Sequence, residues 1–420
     1  MHRLRIALWL GILVATTLAL VPDANAQYFG RNKVQYEDFN FQTIKTNHYN
    51  IYFYPEEEQA VKDEARMAER WYDKHSATFV HSYDNKPLIF YANDADFQQT
   101  NVIEGQIGQG TGGVTEGLMD RVIMPLTGVY AENDHVLGHE LVHTFQYDYA
   151  QSALGGGLEA LSRAPLWLVE GMAEYLSIGH YDPHTAMWMR DAVLQEELPT
   201  IEQLSTDTRF FPYRYGEAYM SFIAGHYGGD RAVAELFKRT AAIGLDSAIA
   251  EVTGLSADSL SALWARETRD YYTPLMQGRT LPENAGRLVL AKSIDAGDMN
   301  IAPALSPDGR YVAFLSSRSL FEIGLYLADA RTGEVIRSLT SRGTDPHFDA
   351  IRFINSAGTW SPDGRRFAYV VFAEGDNRIE ILDVNTRDVD RSIRVQGVGA
   401  MQNPAWSPDG RYIAFSGIHG

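Results

Sequence analysis

The chain of 420 residues contains no cysteine. That excludes structural disulfides and a lipoprotein anchor, both of which need a thiol. Positive charge is also scarce. Lys and Arg number 36 against 54 Asp and Glu, a formal net charge of −18, which argues against nucleic acid or an anionic membrane as the default partner. Long apolar runs are missing apart from one, from Ile6 to Val21. Basic His2, Arg3 and Arg5 precede it, and Pro22 and the small-residue site Ala24-Asn25-Ala26 follow. Residues 1–26 therefore read as a secretory signal cleaved after Ala26. The alternative, a membrane anchor, wants a run of about 20 apolar residues, so no membrane span is expected after cleavage. An exported chain without disulfides suits the periplasm or the outside of a bacterium. With 45% hydrophobic residues the chain can bury a core, and its length calls for two or more domains.

Within it stands VLGHELVHTFQ, residues 136–146. His139, Glu140 and His143 form H-E-x-x-H, which on a helix puts both imidazoles on one face, one turn apart, where they can grip a single Zn²⁺. Glu140 then lies beside the metal, placed to take a proton from water whose pKa the metal has lowered. Asp134 is the expected N-cap of this helix. Catalytic zinc needs a third protein ligand and an open position. Gln146 and Tyr149 occupy the places where a metzincin would carry Gly and His. In PLWLVEGMAEYLSIG, Pro165 can start a second helix, on which Glu170 and Glu174 share a face. Glu170 is the expected third ligand and Glu174 the carboxylate that orients a liganding imidazole. Glu159 is a nearer rival, and a solvated acidic face is the alternative for the pair.

These stretches, HELVH followed by WLVEGMAEY, resemble the gluzincin metallopeptidases of the thermolysin and aminopeptidase N superfamily, closest to the peptidase MA-like group. The resemblance covers residues 119–230. It also extends to Pro212-Tyr213-Arg214-Tyr215-Gly216-Glu217-Ala218, similar to the P-Y-x-x-G-x-A stretch of the aminopeptidase N branch. By that resemblance Tyr213 is the oxyanion donor, with Tyr215 the alternative and packing tyrosines the plainer reading. The chain has no G-x-M-E-N stretch, the feature that captures a free α-amine in true aminopeptidases.

Around the motif the pattern alternates. NHYNIYFY (47–54) and KPLIFYA (86–92) read as strands, 56–79 as a helix, and DADFQQT as a short capped helix. GLMDRVIMPL (117–126) is the expected edge strand along the cleft, an inner strand being its alternative. Gly108, Gly110 and Gly113 match G-x-G-x-x-G without the following helix that nucleotide binding needs, so they read as a loop or flap. Gly155, Gly156 and Gly157 mark a mobile connection. His180, Asp182 and His184 read as a loop at Pro183 rather than a second metal site. Asp207, Arg209 and Arg214 are surface ion pairs or substrate contacts. Residues 213–272 read as a helical subdomain.

Beyond residue 287 the texture changes. SPDGRYVAF at 306, SPDGRRFAY at 361 and SPDGRYIAF at 407 are internal repeats, each a tight turn followed by an alternating strand. They resemble the WD-like propeller repeats of the periplasmic Tol-system family. Propellers close with four to eight blades, so a chain ending at Gly420 reads as the N-terminal part of a longer polypeptide.

The expected architecture is an α+β zincin-like metallopeptidase domain with a helical subdomain, followed by an incomplete all-β propeller. The expected boundaries are 1–26 for the signal, 27–275 for the peptidase domain, 276–300 for a linker and 301–420 for the partial propeller. The expected function is a zinc-dependent endopeptidase holding one Zn²⁺, acting on a peptide or protein substrate, with the propeller free to bind a protein partner. Two alternatives stay open: a propeller scaffold with a relic zinc fold, and a zinc aminopeptidase.

Overall fold

The computed structural model describes residues 35–101, 107, 111–117, 119–154, 157–294, 296–297, 299–319, 322–340, 350–351, 358–373 and 376–419. The signal at 1–26 lies outside the described residues, as do Gly108, Gly110, Gly155 and Gly156. The fold is mixed α/β with several small sheets. No helix among the described residues is long and apolar enough to cross a membrane.

The first sheet holds β1 (Gln42–Lys45), β2 (Tyr49–Phe53), β3 (Lys86–Tyr91), β4 (Val114–Glu116) and β5 (Arg121–Pro125) in the order β1-β2-β3-β5-β4. The three inner strands run parallel, and β1 and β4 close the edges antiparallel. Alternation in β2 buries Tyr49, Ile51 and Phe53 and leaves Tyr52 outside, as a strand with one covered face requires. Helix α1 (Glu58–Phe79) makes the crossover between the parallel strands β2 and β3. It buries Val61, Ala65, Ala68, Trp71 and Tyr72.

The edge strand is not the one expected. The ordered part of 117–126 is β5, which lies between β3 and β4. Val122, Ile123 and Met124 are all buried, the unbroken apolar run of a strand covered on both faces. Val114–Glu116 forms the edge instead.

After the short helix α2 (Asp94–Phe97) and the edge hairpin comes the motif helix α3 (Tyr130–Ser152). It begins before Asp134, so Asp134 is not its cap. Asp134 instead accepts a hydrogen bond from Trp71 Nε1 at 2.7 Å, pinning α3 to α1. Gly138 makes that approach possible, because a Cβ there would lie 2.6 Å from Trp71 Cε2. Leu137, Leu141, Val142 and Phe145 are fully buried. Each such side chain stabilises the fold by roughly 1.5–3 kcal/mol.

The longer remaining helices are α4 (Leu166–Ile178), α5 (Pro183–Leu194), α6 (Ile201–Thr206), α7 (Pro212–Tyr227), α8 (Asp230–Ile243), α9 (Leu245–Thr253) and α10 (Ala257–Met276). One continuous apolar core joins them to the sheet, from Phe90 through Phe145, Trp167 and Phe237 to Trp264.

The C-terminal part is propeller-like. Strands β6 (Asn300–Leu305), β7 (Tyr311–Ser319), β8 (Glu322–Asp329) and β9 (Val335–Ser338) form a four-stranded antiparallel sheet in chain order. A second sheet repeats the pattern around Arg366–Ala373 and Asp376–Asp383, and a hairpin of Val398–Trp406 and Ile413–His419 follows. All three repeat turns have one geometry. The hydroxyls of Ser306, Ser361 and Ser407 each donate to the Asp two residues on at 2.6 Å. Each also accepts the backbone N–H five residues on at 2.9 Å. Gly309, Gly364 and Gly410 supply the left-handed residue, at φ 71°, 69° and 72°.

Candidate metal centre

Helices α3 and α4 bring His139, His143 and Glu170 together. His139 Nε2 and His143 Nε2 stand 3.1 Å apart, and each is 3.2 Å from Glu170 Oε2. The periodicity of two buried helices produces this. His139 and His143 lie one turn apart on α3, while Trp167, Leu168, Met172 and Ala173 bury the opposite side of α4 and leave Glu170 facing the histidines.

The donor set fits a zinc ion on chemical grounds. Gln146 Oε1 accepts at 2.8 Å from His143 Nδ1, and Glu174 Oε1 sits 3.1 Å from His139 Nδ1. Gln146 favours the tautomer with the proton on Nδ1 through its hydrogen bond, and the Glu174 carboxylate favours it on His139 through charge alone, without a hydrogen bond of good geometry. Each Nε2 then presents a lone pair to the other and to a carboxylate oxygen, an arrangement a shared cation satisfies. Two ligands about 2.0–2.1 Å from a tetrahedral zinc would stand roughly 3.3 Å apart, close to the separations seen.

The electrostatics agree. Burial opposes a charged His139, yet Glu170 and Glu174 outweigh it and hold its pKa up at about 10. Burial would likewise raise Glu170, but His143 and His139 hold it well below the usual carboxylate range. The carboxylates thus favour positive charge between the rings, whether carried by a proton on an imidazole or, with both rings neutral, by a metal ion that displaces that proton.

Glu140 extends beside this cluster toward the edge strand. Thr115 Oγ1, on β4, lies 2.6 Å from Glu140 Oε2 and 2.9 Å from its carbonyl oxygen, a donor to both. Gly113 leaves room for the glutamate, since a Cβ there would come within 2.9 Å of Glu140 Cγ. Tyr213, at the start of α7, stacks on His139 with ring centroids 5.9 Å apart and planes 13° from parallel. Burial and the nearby Glu170 carboxylate push the phenol's pKa well above the ordinary value.

Glu174 is a hub. Besides His139 it meets His135 Nε2 at 3.4 Å and accepts from Arg214 Nη1 at 2.9 Å. Arg214 also reaches Asp182 at 3.2 Å. Arg214 is thereby a largely buried partner of Glu174 rather than a surface ion pair, while Asp207 and Arg209 do pair at the surface.

Other expectations fall outside the cluster. Tyr215 is buried against Trp188 and Phe210, away from the histidines. Glu159 is exposed on a 3-10 turn, Gly157–Arg163. Asp182 caps α5 by accepting from Thr185 N at 2.6 Å, so it has a structural role. Sequence reading missed Thr115 and His135, and assigned neither Gln146 nor Arg214 the role it has here. Gln146 carried a usable signal, because three residues after His143 it lies on the same helical face. Thr115 carried none, since only the tertiary approach of β4 brings it near Glu140.

No protein-family model matches the chain. It is similar to the Tol-Pal system protein TolB of Hydrogenovibrio crunogenus, 29% identical over 112 residues, which is 27% of this chain and 22% of that protein. Among solved structures, a putative TolB from Agrobacterium tumefaciens is 22% identical, with 29% of this chain and 40% of that chain covered and a TM-score of 0.24. TolB from Acinetobacter baumannii is 19% identical, with 39% of this chain and 43% of that chain covered and a TM-score of 0.25. The chain spans less than half the length of each of these relatives. The sequence similarity supports the propeller-like region, and none of these likenesses supports a peptidase domain.

Proposed function

We propose that the chain is a zinc-dependent peptidase of the gluzincin type, cleaving peptides or proteins internally in the periplasm or outside the cell. The observation that carries this reading is the convergence of His139 Nε2, His143 Nε2 and Glu170 Oε2 beside Glu140. Bound there, Zn²⁺ would supply Lewis acidity, polarising a carbonyl and lowering the pKa of water toward ~7. The chain's own groups do the rest. Glu140, held by Thr115, is the base that takes the proton from water and later passes it to the leaving amine. Tyr213 stays protonated through neutral pH and donates a hydrogen bond to the developing oxyanion. Gln146 and Glu174 fix the two imidazole rings. The edge strand Val114–Glu116 offers backbone groups to an extended peptide.

The test is a metal analysis joined to a peptide-library digest. Glu140→Gln should retain zinc and lose hydrolysis, and His143→Ala should lose both. An unchanged cleavage rate in the Glu140 variant overturns the assigned base.

The similarity to the Tol-Pal system protein TolB favours a second reading over the first. In it, the propeller-like region binds a protein partner and the zinc fold is a relic. Bound zinc without cleavage of any library peptide, together with a partner held through residues 301–420, selects that reading. Comparing free and blocked N-termini on one peptide separates an endopeptidase from an aminopeptidase.

A further inference from the structure

Helices α5, α7 and α10 enclose a cavity of about 580 Å³ that the proposed chemistry does not use. Its walls are mixed, with the aromatic rings of Trp264, Phe222, Tyr271 and Tyr272 among the lining residues. Two polar groups are built into this setting. Glu217 is 1% exposed and Thr185 6% exposed, and both line the cavity. Among the described residues, Glu217 Oε2 and Thr185 Oγ1 make no hydrogen bond of good geometry, although the Thr185 hydroxyl lies near enough to the carboxylate to favour its ionised form. A buried carboxylate oxygen without a partner is costly to the fold by itself, so its retention beside open space calls for a ligand.

We propose that this cavity is a binding pocket for a small organic cation, an ammonium group joined to an apolar body about the size of a phenyl ring. Glu217 accepts the ammonium's charge-assisted hydrogen bond, Thr185 adds an acceptor, and the ring faces of Trp264, Tyr271 and Tyr272 hold the cation and its apolar body. The volume is within the ordinary range for small-molecule sites. The other charged groups of the lining are already engaged or lie at the mouth. Asp182 pairs with Arg214, Glu267 pairs with His226 at 3.0 Å, and Arg190 sits at the exposed rim. Glu217 is therefore the carboxylate left for an incoming cation. Burial, reinforced by Asp182, pushes its pKa up to about 7 against the influence of the nearby Thr185 hydroxyl, and an ammonium partner would restore the ionised form.

This inference does not depend on the peptidase reading, because binding is measured directly. The full chain is titrated calorimetrically at pH 8 with phenethylammonium, 2-phenylethanol and phenylacetate. Saturable binding of the ammonium is expected, with the alcohol about ten-fold weaker or more and the carboxylate not bound. Glu217→Gln should weaken the ammonium by about ten-fold or more and leave the alcohol unchanged. Equal binding of all three probes, no saturable binding of the ammonium, or full affinity in the glutamine variant overturns the proposal. Should that variant fail to fold, Tyr271→Ala decides. Tyr271 is 64% exposed at the mouth, so its loss spares the core, and an unchanged ammonium affinity there overturns the proposal equally.

Discussion

Gly171 of α4 and Gly216 of α7 meet backbone to backbone. A Cβ on Gly171 would lie 2.3 Å from the Gly216 carbonyl carbon, and one on Gly216 would lie 2.2 Å from the Trp167 carbonyl oxygen. Neither obstacle can turn aside, because both are main chain. The crossing places Glu170, one residue before Gly171, next to Tyr213, one turn before Gly216. Helix separation here sets the geometry of a metal ligand and of the oxyanion donor together.

Gly216→Ala should therefore act on stability and chemistry at once. Overpacking typically costs about 1–3 kcal/mol, and a backbone obstacle places this site toward the upper end. Urea denaturation followed by tryptophan fluorescence measures the loss, while cleavage of a library substrate should fall more than zinc occupancy does. A variant with the wild-type midpoint would mean that the two helices are free to separate and that the crossing does not set the site.

Gln146 bears on metal affinity without touching the metal. Its Oε1 accepts from His143 Nδ1, and its Nε2 donates to Val169 O at 3.1 Å, on the helix that carries Glu170. One side chain thus fixes a ring orientation and braces both ligand-bearing helices. Loss of such an orienting partner typically weakens metal binding by about 10–100-fold. Gln146→Leu should fall in that range in a zinc competition titration at constant pH. Gln146→Glu, which keeps the acceptor, should bind zinc more tightly than the leucine variant, and equal affinities in the two would remove the orienting role.

Much of this centre was legible in the sequence because it lies on two helices with strict spacing. His139 and His143, and Glu170 and Glu174, are pairs one turn apart, and periodicity alone assigns each pair to a face. The repeat turns were legible for another reason. Ser, Asp and Gly each act within five residues of one another, so local chemistry specifies them. The edge strand was misplaced, because Val122, Ile123 and Met124 signal a covered strand only once covering on both faces is considered. Thr115 on Glu140, and Arg214 on Glu174, depend on elements distant in sequence meeting in space. No window of sequence holds that information.

His75 on α1 offers a test of the scaffold by pH. It is fully buried, stacked on Trp71, and its Nε2 donates to Gly138 O at 3.0 Å, the carbonyl just before His139. Its Nδ1 has no partner among the described residues, so nothing offsets the cost of charging the ring. Burial dominates, and although the Gly138 carbonyl favours the charged form, the pKa is pushed down to about 3. A folded-state value below the unfolded ~6.5 means the unfolded chain binds the extra proton first. The stability contributed by neutral His75 is therefore fully present above pH ~6.5 and is lost as pH falls toward the folded value. Between pH 7.5 and pH 5 the loss should be about 2 kcal/mol, at roughly 1.4 kcal/mol per unit. Many other groups titrate in that window, so the difference between wild type and His75→Gln isolates the effect. Glutamine can still donate to the Gly138 carbonyl, but it has no proton to gain. The wild-type advantage in urea denaturation should shrink steadily on acidification, and parallel profiles for the two proteins would show that His75 takes up its proton in the native state without penalty.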